Sequence, residues 1–148
     1  MISVPSSVSL YEQDYVEWLD VTLEQLQNRD IKHLDWTNLM EEVEALGSEQ
    51  RHKVESYLIQ LLKHLLLYQY WESEKLYCAK VWKDEIDIFR IELAILLRSK
   101  TLSNYTLSIL ENSYQRARRS AKIKSDLNIF PVTCPYSMEQ ILDSNWFP

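Results

Sequence analysis

Apolar residues recur along the chain every three to four positions, which is the spacing of one face of an α-helix. From this spacing we predict five helices, at residues 9–28, 35–47, 48–71, 76–97 and 104–124. The third is the most apolar, since large apolar residues cover most of its circumference, and it belongs in the middle of a bundle. The pattern therefore predicts an all-α fold.

Polar residues mark where the first and the last helix should begin. Ser9 with Glu12 has the spacing of a capping box, in which each residue satisfies a free backbone N–H at the start of a helix. Ser137 with Gln140 has the same spacing and predicts one more short helix near the C-terminus.

The second helix has a good start and an expected end. Asp35 is suited to cap its first turn. Gly47, the only glycine of the chain, is expected to end or bend it. The stripe that we expect this helix to bury consists of Trp36, Leu39, Met40, Val43 and Leu46.

The chain has no internal repeat and no linker rich in glycine or serine, so we predict a single helical domain over residues 1–148. It is expected to be a bundle of about five helices plus the short C-terminal one. Residues 1–8 are expected to form a loose N-terminal segment. Residues 125–148 form a tail that contains prolines, and its aromatic ending, Trp146 and Phe147, predicts that the tail packs on the bundle.

Charge is divided unevenly along the chain, whose formal net charge is −6. Residues 1–50 carry eleven acids and two bases, whereas the remaining residues carry eleven acids and fourteen bases. An acidic chain is a poor candidate for a general nucleic-acid binder, because contacts to phosphates supply most of that affinity. No apolar run approaches the ~18 residues of a membrane helix, and the N-terminus does not resemble a signal peptide. We therefore expect a cytoplasmic protein that does not associate with membranes.

The residue types that catalysis needs do not form a recognisable set. Cys78 and Cys134 lie 56 positions apart with no CxxC motif, so we expect reduced, partly buried thiols. A single glycine excludes a glycine-rich phosphate loop, and the nucleophile motif GxSxG is absent from the sequence. We predict no catalytic residue and no cofactor, and the sequence favours a protein that is not an enzyme.

The strongest hint of a metal is an acid three residues before a histidine, which occurs at Asp30–His33 and at Glu49–His52. Di-metal bundles use two such pairs that face inward. Here the first pair falls in a predicted loop and the second on the polar strip of the third helix. His64 lies about 18 Å along the helix from His52, so the two cannot share an ion. No metal site is predicted.

The second helix carries three glutamates, Glu41, Glu42 and Glu44. At about 100° per residue they lie outside the apolar stripe and do not share one face of the helix. We interpret them as a solvated margin of the helix. A function for the polar strip of the third helix, His52, Gln60 and His64, stays open.

One basic run, in residues 112–125, contains no acid. Its members are Arg116, Arg118, Arg119, Lys122 and Lys124. We favour the interpretation that these cations complement the dipole at the C-terminal end of the fifth helix and help to dock the acidic N-terminal third. The alternative is a partner contact, for which the candidate residues are Arg116, Arg118, Arg119 and Lys122.

Three segments of the sequence, residues 14–47, 58–71 and 130–148, resemble a known family. It is the mainly cyanobacterial, uncharacterised family called domain of unknown function twenty-nine. The resemblance implies an all-helical bundle, and it carries over no activity, substrate, cofactor or site residue. Residues 72–128 are less similar, because the acids of KDEIDIFRIELAILL stand where the family often has a more basic helix.

The sequence therefore favours a non-enzymatic module for protein–protein interaction or self-association. Five tryptophans and nine tyrosines support this hypothesis, because both residue types are enriched at interface hot spots. A homo-oligomer or another protein is the expected partner. The first alternative is an accessory protein linked to nucleic acid through helix residues 116–124. The second is a metal-binding bundle that uses Glu49, His52, His64 and the acids of the second helix.

Overall fold

The computed structural model describes residues 8–148, and within them it contains α-helices, one short 3₁₀ helix and no strand. The helices are α1 (Leu10–Gln13), α2 (Tyr15–Gln27), a 3₁₀ helix (Ile31–His33), α3 (Trp36–Tyr70), α4 (Glu72–Leu96), α5 (Lys100–Ser125) and α6 (Met138–Leu142). The predicted all-α class is confirmed. The loose segment predicted for residues 1–8 lies outside the described residues, except for Val8.

The single helix predicted for residues 9–28 is interrupted after one turn. Ser9 caps α1, since its hydroxyl accepts a hydrogen bond from the backbone N–H of Glu12. Asp14 then adopts an extended backbone, and its carboxylate accepts a hydrogen bond from the backbone N–H of Glu17 at 3.0 Å. Aspartate favours such caps because its side chain competes with the helix for backbone groups. The chain therefore starts a new helix, α2, at Tyr15.

The predicted end of a helix at Gly47 is wrong, because α3 runs without a break from residue 36 to residue 70. Gly47 is helical and does not have a positive φ. A glycine inside a helix costs only about 1 kcal/mol relative to alanine. Just beyond it, Lys53 and Glu49 form an ion pair one turn apart, 3.6 Å between nitrogen and oxygen. The helices predicted at residues 35–47 and 48–71 are therefore one helix.

Within residues 8–148, two residues other than glycine adopt a left-handed backbone. Arg29 has φ 58° in the connection between α2 and the 3₁₀ helix. Asp126 has φ 58° and ends α5, where its backbone N–H donates to the carbonyl oxygen of Lys122. This conformation costs residues with a side chain roughly 1 kcal/mol, and glycine adopts it without that cost.

The chain divides into two compact units, residues 1–47 and residues 48–148. We call them the N-terminal unit and the C-terminal unit. Helix α3 contributes its first twelve residues to the former and the others to the latter. The prediction of a single domain stays a prediction.

The C-terminal unit is a helical bundle around a continuous core. The fully buried residues that α3 supplies are Val54, Leu58, Leu61, Leu62, Leu65, Leu66 and Leu67. Against them pack Trp82, Ile86 and Leu93 of α4 and Tyr114, Ala117 and Ala121 of α5. The position predicted for the most apolar segment is therefore right. Val81 of α4 and Leu107 of α5 are exposed.

The C-terminal tail packs on this core through Phe130, Tyr136 and Ile141, all of which are buried. The capping box predicted for Ser137 and Gln140 is present at the start of α6. Arg90 of α4 binds the other end of α6. Its Nε donates to the carbonyl oxygen of Ile141 at 2.8 Å, and its Nη2 donates to that of Gln140 at 3.1 Å. A buried guanidinium thus satisfies carbonyl groups that a helix end leaves free.

Candidate interaction site

Polar contacts join the helices of the N-terminal unit. The hydroxyl groups of Tyr11 and Tyr15 both donate to the carboxylate of Glu42 on α3, and the contact from Tyr15 measures 2.6 Å. The indole Nε1 of Trp18 donates to the carboxylate of Asp35 at 3.1 Å. These contacts hold α1 and α2 beside the first turns of α3.

The same contacts keep their carboxylates ionised. Hydrogen bonds from Tyr11 and Tyr15 lower the pKa of Glu42. The bond to Glu42 in turn raises the pKa of Tyr11 to about 12. A hydrogen bond from the side chain of Asn38, followed by one from Trp18, lowers the pKa of Asp35. Glu42 was predicted to be part of a solvated margin, and it is instead half-buried and bonded to two tyrosines.

The stripe that we expected α3 to bury in this unit is largely exposed. Met40 exposes 61% of its surface, and Val43 and Leu46 each expose 62%. Trp36 is also exposed, and Leu39 is half-buried. The prediction that these residues belong to the core is therefore wrong. The physical reason is that few helices are available here to cover the stripe.

Helix α2 presents a second exposed apolar stripe. Leu19, Leu23 and Leu26 recur at the spacing of one helix face, and all three are exposed. The described residues of this unit that are buried are only Trp18, Thr22 and Leu34.

The two stripes line one open groove, which we call the apolar groove. Its walls are formed by Leu19, Leu23 and Leu26 from α2 and by Leu39, Val43 and Leu46 from α3. A neighbouring depression shares Leu39 and Val43 with the groove and adds Trp36 and Met40. The apolar surface therefore continues across α3. Helix α2 has 13 residues, so the groove is about 20 Å long.

The ionisable residues that line these surfaces are acids. Asp20 and Glu42 line the groove, and Glu44 lines the neighbouring depression. Of the described lining residues, none is lysine or arginine. At the bottom of the groove lies Thr22, whose buried Oγ1 has no hydrogen-bond partner among the residues of the structure. The apolar groove and the neighbouring depression thus have an acidic edge, which consists of Asp20, Glu42 and Glu44.

The basic run lies in the C-terminal unit, and two of its candidate contact residues bind the protein itself. Arg116 forms an ion pair with Glu55 of α3 at 2.9 Å. Arg118 is half-buried, and its Nε donates to the carbonyl oxygen of Phe130 at 3.2 Å. Arg119 is exposed and lines a surface depression together with Arg116, whereas Lys122 is half-buried. A partner contact through these residues stays a prediction.

The histidines lie in different local environments. His33 contacts the carboxylate of Asp30 at 2.8 Å, and His52 is exposed. His64 is half-buried, and its Nδ1–H donates to the carbonyl oxygen of Gln60 at 2.7 Å. Burial lowers the pKa of His64. Among the side chains that the structure describes, no three acids, histidines or cysteines lie together where they could hold one metal ion.

Both cysteines are free and half-buried, as expected from their spacing. The thiol of Cys78 donates to the carboxylate of Glu74, and that of Cys134 donates to the carbonyl oxygen of Tyr136. Burial raises the pKa of both thiols. They therefore carry protons at neutral pH and are poor nucleophiles, because the thiolate is the reactive form.

Sequence reasoning missed the apolar groove, although a signal was present. Residues 9–47 contain two apolar stripes on two helices and no third helix to cover them. Two short helices can cover only part of each other's surface, so a stripe on each predicts apolar area left for something else to bury.

The helices that the structure describes do not combine the length and the apolar character that crossing a bilayer requires. No curated protein and no solved structure matches the chain.

One family does match, and it covers residues 10–147 of the 148. The matched range covers most of both units, and it agrees with the resemblance that residues 14–47, 58–71 and 130–148 carry. The chain therefore belongs to the family described as Domain of unknown function DUF29.

Proposed function

We propose that this protein is a non-enzymatic protein–protein interaction module that binds its partner through the apolar groove of the N-terminal unit. The observation that carries the proposal is that five exposed apolar residues and the half-buried Leu39, from two helices, line one groove, with Trp36 and Met40 beside it. Contiguous exposed apolar surface marks interaction sites in proteins. Tryptophan and methionine are typical of interface centres, the first as an anchor and the second because it adapts its shape.

The groove supports a binding role better than the basic helix of the C-terminal unit does. Arg116 and Arg118 already bind Glu55 and the tail, so a nucleic acid would have to compete for them. The apolar groove residues have no such competing polar partner. The cytoplasmic location predicted from the sequence is part of this proposal, because the groove is expected to meet its partner there.

A photo-crosslinking experiment in the source cells tests the proposal. A photoreactive amino acid replaces Met40 beside the groove or, as the control, Leu76 on α4, which exposes 87% of its surface. We expect the Met40 position to crosslink to a specific protein and the Leu76 position not to do so. The crosslink should disappear when Leu23→Gln and Val43→Gln are combined.

The double variant changes only exposed side chains, so its helix content by circular dichroism should equal that of the unchanged protein. A crosslink to a second copy of the chain would support the proposed interaction role and would show that the protein associates with itself. Equal crosslinking from Met40 and Leu76, or crosslinking that survives the double variant, would contradict the proposal.

A further inference from the structure

We infer that the partner segment is a basic amphipathic α-helix, which lies with its apolar side in the groove and its lysines and arginines against the acidic edge. This inference rests on the proposed function and adds the chemistry of the partner. The shape of the groove indicates a helix, and the charges of its edge and of the whole unit indicate that this helix is basic.

The shape of the groove favours a helix as the occupant. Both walls are α-helices, α2 and α3, whose backbone groups are already hydrogen-bonded within each helix. An extended peptide would find no free sheet edge to pair with, so its own backbone groups would lose hydrogen bonds to water. A helix satisfies its own backbone and presents an apolar stripe of matching length, since a groove of about 20 Å accepts three to four turns.

The edge of the groove favours positive charge on that helix. Asp20 and Glu42 line the groove, Glu44 lines the neighbouring depression, and hydrogen bonds from Tyr11 and Tyr15 lower the pKa of Glu42. The bases of the unit, Arg29 and Lys32, lie in the connection between α2 and α3. A lysine or arginine beside the apolar stripe of the bound helix would therefore come close to one of these acids.

The charge of the whole unit separates this occupant from the others. Residues 1–47 contain ten acids and two bases. Two copies that met groove to groove would bring two such units together, and the like charges would repel each other. Anionic lipid surfaces and nucleic acids would be repelled in the same way. A cationic helix is attracted at long range and then buries the apolar surface.

The test measures the binding of three labelled synthetic peptides, each of about 18 residues, to the full chain by fluorescence anisotropy. The first has a leucine stripe on one helix face and lysines on the other. The second keeps the stripe and replaces the lysines with glutamates. The third has the composition of the first in an order that destroys the stripe. We expect the first to bind at least about tenfold more tightly than either of the others.

Variants of the protein separate the two contributions to binding. Leu23→Gln with Val43→Gln should weaken the binding of the lysine peptide by about tenfold or more, because the apolar contact is lost. Asp20→Asn with Glu44→Gln should weaken the binding of the lysine peptide about threefold for each exposed ion pair that is lost. The same variant should not weaken the binding of the glutamate peptide. Leu76→Gln on α4 is the matched control, and it should leave all three affinities unchanged.

The outcomes distinguish failure of the inference from failure of the proposed function. Equal binding of the lysine and glutamate peptides would overturn the positive charge of the partner and leave the groove as a binding site. If the striped and the reordered lysine peptides bind equally, or if binding survives the groove variants, then binding depends on charge alone. Either result would overturn the inference. If no peptide binds while Met40 still crosslinks to a protein, the inference fails alone. If neither occurs, both proposals fail.

Discussion

The two units of this protein use the same kind of apolar pattern with opposite results. In the C-terminal unit the leucines of α3 are fully buried by α4, α5 and the tail. In the N-terminal unit the same helix carries Met40, Val43 and Leu46 with about three-fifths of their surface exposed. Periodicity places apolar residues on one face of a helix, and only the supply of neighbouring elements decides whether that face is buried.

The difference also concerns what holds each unit together. The C-terminal unit is stabilised mainly by apolar burial, at roughly 1.5–3 kcal/mol for each fully buried leucine. The described part of the N-terminal unit buries only Trp18, Thr22 and Leu34, and polar contacts join its helices, from Tyr11 and Tyr15 to Glu42 and from Trp18 to Asp35. A unit organised in this way can keep apolar residues free for a partner.

The largest expected effect compares one leucine from each unit. Leu62→Ala removes a fully buried side chain from the core and should lower the free energy of unfolding by about 2–5 kcal/mol, because it loses burial and leaves a cavity. Leu23→Ala, in the groove, should change it by no more than about 0.5 kcal/mol. Urea unfolding followed by circular dichroism measures both. Equal losses of unfolding free energy from the two substitutions would show that the groove residues are part of a core. The proposed difference between the two units would then be wrong.

A smaller effect is expected at the one place where a buried charge supports the C-terminal unit. Arg90→Met removes two hydrogen bonds to the carbonyl groups of α6 and should cost about 2 kcal/mol. The loss is limited because the Nη1 of Arg90, which has no partner among the described residues, is removed as well. Arg98→Met, at an exposed position, is the control and should have little effect.

Limited proteolysis locates the consequence of the Arg90 substitution. Cleavage should become faster within residues 138–148, because α6 loses its attachment, and should be unchanged elsewhere. A variant that is as stable and as resistant as the unchanged protein would mean that apolar contacts alone hold the tail.

The smallest effect tests the polar contacts of the N-terminal unit. Glu42→Ala removes the acceptor that raises the pKa of Tyr11 to about 12, so this pKa should fall toward the ordinary value of 10. A raised tyrosine pKa stabilises the fold below pH 10, and that contribution is lost as the pH rises from 10 to 12. NMR titration of ¹³C-labelled tyrosine measures the change.

Glu41→Ala provides a graded control for the tyrosine titration. Glu41 raises the pKa of Tyr11 only through its charge, as a minor cause, so this variant should shift the pKa less than Glu42→Ala does. The contact with Glu42 would be refuted by a Tyr11 pKa that is the same in the Glu42 variant and in the unchanged protein.

The sequence predicted which segments are helical better than where each helix begins and ends, because helix formation depends on local patterns. The capping box of Ser137 and Gln140 correctly placed the start of α6. The fifth helix was expected at residue 104 but begins at Lys100, because Ser99 caps it by accepting a hydrogen bond from the N–H of Leu102 at 3.2 Å. The signal at Ser99 was present in the sequence, but the apolar periodicity begins later and set the predicted boundary.

The candidate site could be predicted only in part, because it depends on what surrounds each helix. The pattern correctly placed Met40 and Val43 on one face of α3, yet it could not show that this face stays open. The role of Arg118 depends on the path of the tail, which brings the carbonyl group of Phe130 within reach. Contacts of this kind join distant parts of the chain, and no local pattern encodes them.

The placement of glycine in this protein leaves room for engineering. Its only glycine lies inside a helix, whereas Arg29 and Asp126 occupy left-handed positions that glycine would adopt with less strain. Replacing Gly47 by alanine and placing glycine at position 126 should each add roughly 0.5–1 kcal/mol to the stability. Neither change removes a side chain from the groove walls. A variant stabilised in this way would therefore stay folded when several groove residues are replaced. A loss of binding in it could then be attributed to the groove and not to unfolding.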